Sequence, residues 1–270
     1  MNTEKINIYT EIVPFSKSID CTVDEGVYID IYFPEKKIRN GYSILAFPGG
    51  AYSFLSEKSG KEYGVWFASK GFTVFVLKFR LGSKGYDFKS ICVDGYSAYN
   101  YVSSKSKEFK IDPQKIGLIG TSAGAHLAGI MSTGAGNDIL KQHGVDQYTN
   151  LDIKPNFCVL CYGVLSLLNP IAHIETRKNF LGDYRDLYEY QEAFSPINYI
   201  NENNPRSFLW HTSRDEEVTV DNTILYAREL FKKSIPYELH IYQKGGHALG
   251  LAQHECLYWA DDCARWIVDN

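Results

Sequence analysis

The chain has 270 residues, with 28 Lys+Arg against 32 Asp+Glu, a formal charge of −4 and 44% hydrophobic residues. It is too long for a disulfide-stapled miniprotein, and its apolar share can bury a sizeable core, which argues against intrinsic disorder. A mildly acidic balance without a Lys/Arg block argues against nucleic acid as the main partner, and no apolar run approaches the length of a membrane span.

Residues 1–10 (MNTEKINIYT) lack the apolar core of a signal peptide, so the expected location is cytoplasmic. Residues 27–33 (VYIDIYF) then alternate like a half-buried strand. In chain order there follow a buried strand at 42–47, a helix at 62–70, a strand at 72–79, a helix at 94–104, a strand at 115–119 and a helix at 123–132. Strands at 157–162, 207–211 and 237–242 frame a helix at 220–232, and a last helix covers 251–269. Alternating strands and helices imply an α/β fold, a mostly parallel central sheet flanked by helices. Between about 134 and 200 only the strand at 157–162 is clear, and the remainder reads as loop and short helix. This stretch is expected to be a small cap inserted over a site, within a single domain spanning 1–270.

Six cysteines stand at 21, 92, 158, 161, 256 and 263. The pair Cys158-x-x-Cys161 lies in a strand pattern that sends its thiols to opposite faces, and no second Cys or His pair follows at zinc spacing. Cys256 and Cys263, seven apart, are expected on the buried face of the last helix. Asp94 is expected to open the 94–104 helix by accepting from backbone donors. His254-Glu255 completes no H-E-x-x-H, and His126 is expected to pack or hydrogen-bond within its helix. The 20 tyrosines are spread along the chain, with Tyr52 and the group Tyr184, Tyr188 and Tyr190 as local candidates for ligand contact.

The chemistry concentrates at three strand ends. Gly120-Thr121-Ser122-Ala123-Gly124 is a G-x-S-x-G between a strand and a helix, the context a nucleophile elbow requires. A serine nucleophile needs a base and a group that orients the base. Asp215 follows the strand at 207–211, and His247 follows the strand at 237–242 after Gly245-Gly246. Their order, Ser, Asp, His, is that of the α/β-hydrolase arrangement. The loop Pro48-Gly49-Gly50-Ala51-Tyr52 after an early strand has the freedom to supply oxyanion donors. Gly49 or Gly50, with the Ala123 N–H, is the expected oxyanion hole, and Ala51 and Tyr52 the expected pocket wall.

These segments, with Phe194-Ser195-Pro196, Phe208-Leu209-Trp210-His211-Thr212 and Lys244-Gly245-Gly246-His247-Ala248-Leu249-Gly250, resemble the acetyl xylan esterase-like branch of the α/β-hydrolase esterases and lipases. The likeness runs from about residue 42 to the carboxyl terminus. It implies Ser122 as nucleophile, Asp215 as orienter and His247 as base of a serine esterase acting on short acyl groups, acetyl above all, of sugars or xylo-oligosaccharides. It implies a small-molecule ester as partner, no metal and no organic cofactor; the oligomeric state stays open. Related esterases usually carry histidine where this chain has Phe47, which removes one anchor of the oxyanion loop. The elbow also resembles that of kynurenine formamidase-like hydrolases, an amide-cleaving alternative, and a binding protein that kept the fold without catalysis is the rival of a different class.

Overall fold

A computed structural model of the chain describes residues 2–9, 13–17, 26–151 and 153–269; Cys21 lies outside them. Among the described residues, eight strands, β1 (Asn2–Asn7), β2 (Tyr28–Phe33), β3 (Ser43–Phe47), β4 (Thr73–Lys78), β5 (Ile116–Thr121), β6 (Phe157–Cys161), β7 (Arg206–Thr212) and β8 (Tyr237–Tyr242), form one sheet in the order β1-β2-β4-β3-β5-β6-β7-β8. From β4 to β8 all neighbours are parallel, whereas β2 runs antiparallel to β4 and β1 antiparallel to β2. The mostly parallel sheet was expected. β1 was not, because NTEKIN carries no run of β-branched residues; it is recruited by a six-pair register against β2.

The helices are α1 (Lys61–Ser69), α2 (Phe88–Ser104), α3 (Ser106–Phe109), α4 (Ala123–Thr133), α5 (Asn137–Gln142), α6 (Ile174–Leu181), α7 (Tyr188–Ala193), α8 (Asp221–Lys232) and α9 (Trp259–Asp269). The sheet divides the core in two. Leu45, Leu118, Cys158 and Leu209 meet α2, α4 and α8 on one face. Ile44, Ile119, Cys161 and Trp210 meet α1 and α9 on the other, so the two thiols of β6 do part as strand alternation requires. Burial pushes both thiols up to about 12.

Two helix starts differ from expectation. α2 begins six residues before Asp94, at Phe88, and its cap is Asp87, whose side chain accepts from Lys89 N–H. Asp94 is instead inside the helix and fully buried, paired with Arg80 (Nη2 to Oδ1, 2.7 Å) and accepting from Tyr9 Oη at 2.8 Å. A pair taken out of water must be matched this closely to persist. α9 begins at Trp259, because Ala252 and Cys256 flank a single 3₁₀ turn with φ of 56° at each. Cys256 is therefore exposed, and Cys263 alone of that pair is in the core.

Within 134–200, β6 passes through the centre of the sheet, while α6 and α7 pack beside α2. Tyr184 stacks on Tyr190 at 4.5 Å, and both lie edge-on to Phe88, so these two rings are packing elements, while Tyr188 is exposed. Among the described residues, no helix is long and apolar enough to cross a membrane.

Candidate active site

β5 runs straight into α4 with one residue between them. That residue, Ser122, has φ 55° and ψ −118°, a conformation that costs an L-residue about 1–3 kcal/mol. The flanking glycines make it possible. A Cβ on Gly120 would sit 2.3 Å from the Gly124 carbonyl oxygen, and one on Gly124 would sit 2.0 Å from that of Phe47. The turn holds Ser122 at 6% exposure, with its own N–H donated to the Cys161 carbonyl at 2.9 Å.

The ends of β7 and β8 meet this serine. His247, in the loop after β8, places Nε2 2.8 Å from Ser122 Oγ and Nδ1 2.6 Å from Asp215 Oδ2. A carboxylate only accepts, so Nδ1 carries the proton and the Nε2 lone pair faces the serine hydroxyl. Asp215 Oδ1 accepts from the N–H of Glu217 and of Val218, at 3.0 and 2.9 Å, and Oδ2 accepts a second time, from His211 Nε2 at 3.1 Å. Burial alone would raise this carboxyl. The bonds from His211, His247 and Val218 outweigh it and hold Asp215 well below the usual carboxylate range.

The His247 loop is pinned from several sides. Thr212 Oγ1 donates to the Gly246 carbonyl, Tyr63 Oη and Trp259 Nε1 donate to the Gly250 carbonyl, and Gly250 N–H donates to Tyr162 Oη, each at 3.1 Å. The Tyr162 ring also lies edge-on to His247 at 5.0 Å.

Opposite stands the loop after β3. Gly49 N–H is donated to Ser59 Oγ at 3.0 Å, which leaves Gly50 as the candidate donor of the expected pair. Ala123 N–H, first in α4, has no carbonyl a turn earlier in its helix to bond. Ala51 lines the cavity as expected, but Tyr52 does not. Its ring is 1% exposed, and its hydroxyl donates to His126 Nδ1 at 2.9 Å, while His126 Nε2–H donates to the Phe194 carbonyl at 2.7 Å. The Tyr52 ring is held instead among Phe79, Phe180 and His126, with ring centroids at 6.0, 5.1 and 5.9 Å. Burial lowers His126 to about 4, so it stays neutral and can accept that hydroxyl. Phe47 is fully buried in the core. The Tyr52–His126 and Gly49–Ser59 bonds tie the loop to its surroundings.

Ser122 and His247 open into a cavity of about 140 Å³, whose walls include Phe54, Tyr162, Ala248, His173, Glu175 and Glu217. Burial and the nearby His247 hold His173 below its ordinary value. None of His173, Glu175, Glu217, Ser59 and His211 was singled out for this site from sequence. His211 had a signal, a histidine at the end of a buried strand four residues before Asp215; the others come from loops and from the first turn of α6, whose paths no periodicity encodes. Among the described residues, no group of three or more His, Cys, Asp or Glu side chains is placed to hold a metal ion.

A serine in a strained strand-to-helix turn, answered by aspartate and histidine at later strand ends of a mostly parallel sheet, defines the class as an α/β hydrolase. Residues 29–230 match the BD-FAE family, and the chain belongs to that family. The crystal structure of an acetyl ester-xyloside bifunctional hydrolase from Caldicellulosiruptor lactoaceticus is similar at TM-score 0.83 and 31% identity, covering 97% of this chain and 94% of that one. The acetylxylan esterase of Xylanibacter ruminicola is 28% identical over 249 residues, covering 87% of this chain and 47% of that protein. Endo-1,4-beta-xylanase B of Butyrivibrio fibrisolvens is 27% identical over 214 residues, covering 78% of this chain and 33% of that protein. The chain thus spans a third to about half the length of the curated relatives it matches. The resemblance to acetyl xylan esterase-like α/β hydrolases holds, and the expectation of a carboxylic ester hydrolase agrees with the acetylxylan esterase and the acetyl ester-xyloside hydrolase among these relatives.

Proposed function

We propose that this protein is a serine carboxylesterase that removes short acyl groups, acetyl above all, from sugar or xylo-oligosaccharide alcohols. The observation that carries the proposal is the continuous chain of short bonds from Asp215 through His247 to Ser122 Oγ at the floor of the cavity. In this reading His247 takes the Ser122 proton as the hydroxyl attacks the ester carbonyl. The N–H groups of Ala123 and Gly50 hold the oxyanion, each worth about 3 kcal/mol by comparison with other enzymes. His247 then passes the proton to the leaving alcohol. It next takes a proton from water as the water attacks the acyl-serine, and returns that proton to Ser122 Oγ as the acid leaves. Asp215 keeps His247 in the tautomer with Nδ1–H and stabilises its cation.

Two features support the substrate class. The 140 Å³ cavity is well under the roughly 300 Å³ at which pockets for drug-sized ligands begin, which suits a short acyl chain. The mouth carries the exposed ring of Phe54 and the hydrogen-bonding groups of His173, Glu175 and Glu217, a surface suited to a hydroxyl-rich alcohol. The stretch holding α6 is read as a cap on a single hydrolase domain: Asn179 Nδ2 donates to the Ala51 carbonyl at 2.8 Å, and His173 and Glu175 reach the cavity. The test is kcat/KM on p-nitrophenyl acetate, butyrate and octanoate, acetylated xylo-oligosaccharides and N-formylkynurenine. The proposal expects acetate to exceed octanoate and acetylated sugars to exceed the formamide; the reverse order on either axis overturns it.

A further inference from the structure

Behind Asp215 stands a second imidazole that the proposed chemistry does not use. His211, near the end of β7, is fully buried. Its Nε2 lies 3.1 Å from Asp215 Oδ2 and 2.9 Å from the Val218 carbonyl oxygen. Both partners only accept, so Nε2 carries the proton and shares it between them. Nδ1 lies 2.7 Å from Thr223 Oγ1 on α8 and accepts from that hydroxyl.

The two Asp215 oxygens are thus held differently. Oδ1 is fixed by two backbone N–H groups, whereas Oδ2 is shared by two side chains, His247 and His211. The terminal torsion of an aspartate is broad, so a carboxylate anchored at one oxygen can still swing its other oxygen. We propose that His211, braced by Thr223, is a positioning residue that fixes the plane of the Asp215 carboxylate and divides Oδ2 between two imidazoles; the inference rests on the reading of Ser122, His247 and Asp215 given above. His211 does not touch the reacting atoms. It acts through Asp215, and Thr223 acts through His211, so α8 is coupled to the serine by the line Thr223, His211, Asp215, His247, Ser122.

Sharing Oδ2 has a consequence for proton transfer. With the His211 donor removed, Oδ2 serves His247 alone and holds the imidazolium form more tightly, while the carboxylate gains freedom to swing. Among the described residues, titratable groups around this site include Tyr162 after β6, which feels Asp215, and His173 before α6, which feels His247, Asp215, Glu175 and Glu217.

The experiment compares the pH profile of kcat/KM on p-nitrophenyl acetate for wild type, His211→Phe, His211→Gln, Thr223→Val and Thr223→Ser. Each profile is normalised to the fraction of Ser122 labelled by a fluorophosphonate. His211→Phe is expected to lower kcat about tenfold with KM little changed, and to move the acid limb up by roughly half a pH unit, as for losing one donor on a carboxylate. His211→Gln, which keeps an N–H donor, is expected to restore most of the rate. Thr223→Val moves the limb the same way by less, and Thr223→Ser restores it. Should His211→Phe not fold, the Thr223 pair decides alone. Folded variants with wild-type profiles overturn the inference, even if they melt earlier. A wild type that is neither labelled nor active overturns the reading of the site instead.

Discussion

Replacing Gly124 with alanine presses on the point where the elbow meets the oxyanion loop. The added Cβ would lie 2.0 Å from the Phe47 carbonyl oxygen and 2.7 Å from that of Pro48. Ordinary contact begins at 3.4 Å, so the two backbones must part by about 3.4 − 2.0 = 1.4 Å. Both sides of the clash are main chain, and no side-chain rotation relieves it. A misplacement of about 1 Å at a reacting centre costs about 100-fold in rate. Overpacking a close-packed interior costs about 1–3 kcal/mol. Gly124→Ala is therefore expected to lose about 100-fold in kcat on p-nitrophenyl acetate, with a smaller change in KM, and about 1–3 kcal/mol in urea unfolding. The loss falls on kcat because the donors proposed at Ala123 and Gly50 would act on charge that develops only in the transition state. A folded Gly124→Ala protein with wild-type kcat refutes this reasoning.

Asp215→Asn should lower kcat about 10,000-fold while leaving the fold intact, because an amide can present N–H to His247 and favour the wrong tautomer; single-turnover kinetics on p-nitrophenyl acetate, with far-UV circular dichroism as the fold control, checks it. His126 gives an acid-side slope in stability. Its folded value of about 4 lies below the ordinary 6.5, so its contribution is fully present above 6.5 and is lost as pH falls through about 4. The loss approaches roughly 3 kcal/mol by linkage at 1.36 kcal/mol per unit, and His126→Gln should flatten that part of the urea-stability profile between pH 6.5 and 4. Arg80→Ala leaves the fully buried Asp94 carboxylate without its ion pair and should cost about 3–5 kcal/mol in urea unfolding; a change under about 1 kcal/mol contradicts that account.

Much of the fold was legible because its central strands are buried on both faces and therefore read as short, dense apolar runs. Ser122, Asp215 and His247 were legible for a related reason, since each follows such a run and glycines mark two of the three turns. What escaped the sequence was mostly non-local. Asp94 looks like a helix cap until Arg80, fourteen positions earlier, is brought beside it by β4 and α2. Tyr52 looks like a pocket wall until its hydroxyl is seen bonded to His126, 74 positions later, and its ring packed on Phe180. Cys256 keeps a helical spacing from Cys263, yet the chain turns in a left-handed conformation before the helix begins. The polar rim of the cavity was least legible, because His173, Glu175 and Glu217 reach it on loops and a helix end.

In the proposed chemistry Ser122, activated by His247 and Asp215, is the nucleophile of an ester hydrolase. The direct measurement is fluorophosphonate labelling of wild type and Ser122→Ala, read by peptide mass spectrometry beside turnover of p-nitrophenyl acetate. The expected result is stoichiometric modification of Ser122 with complete loss of turnover on labelling, and neither label nor turnover in Ser122→Ala. Turnover at the wild-type rate by Ser122→Ala, or a label carried by another residue, would contradict it.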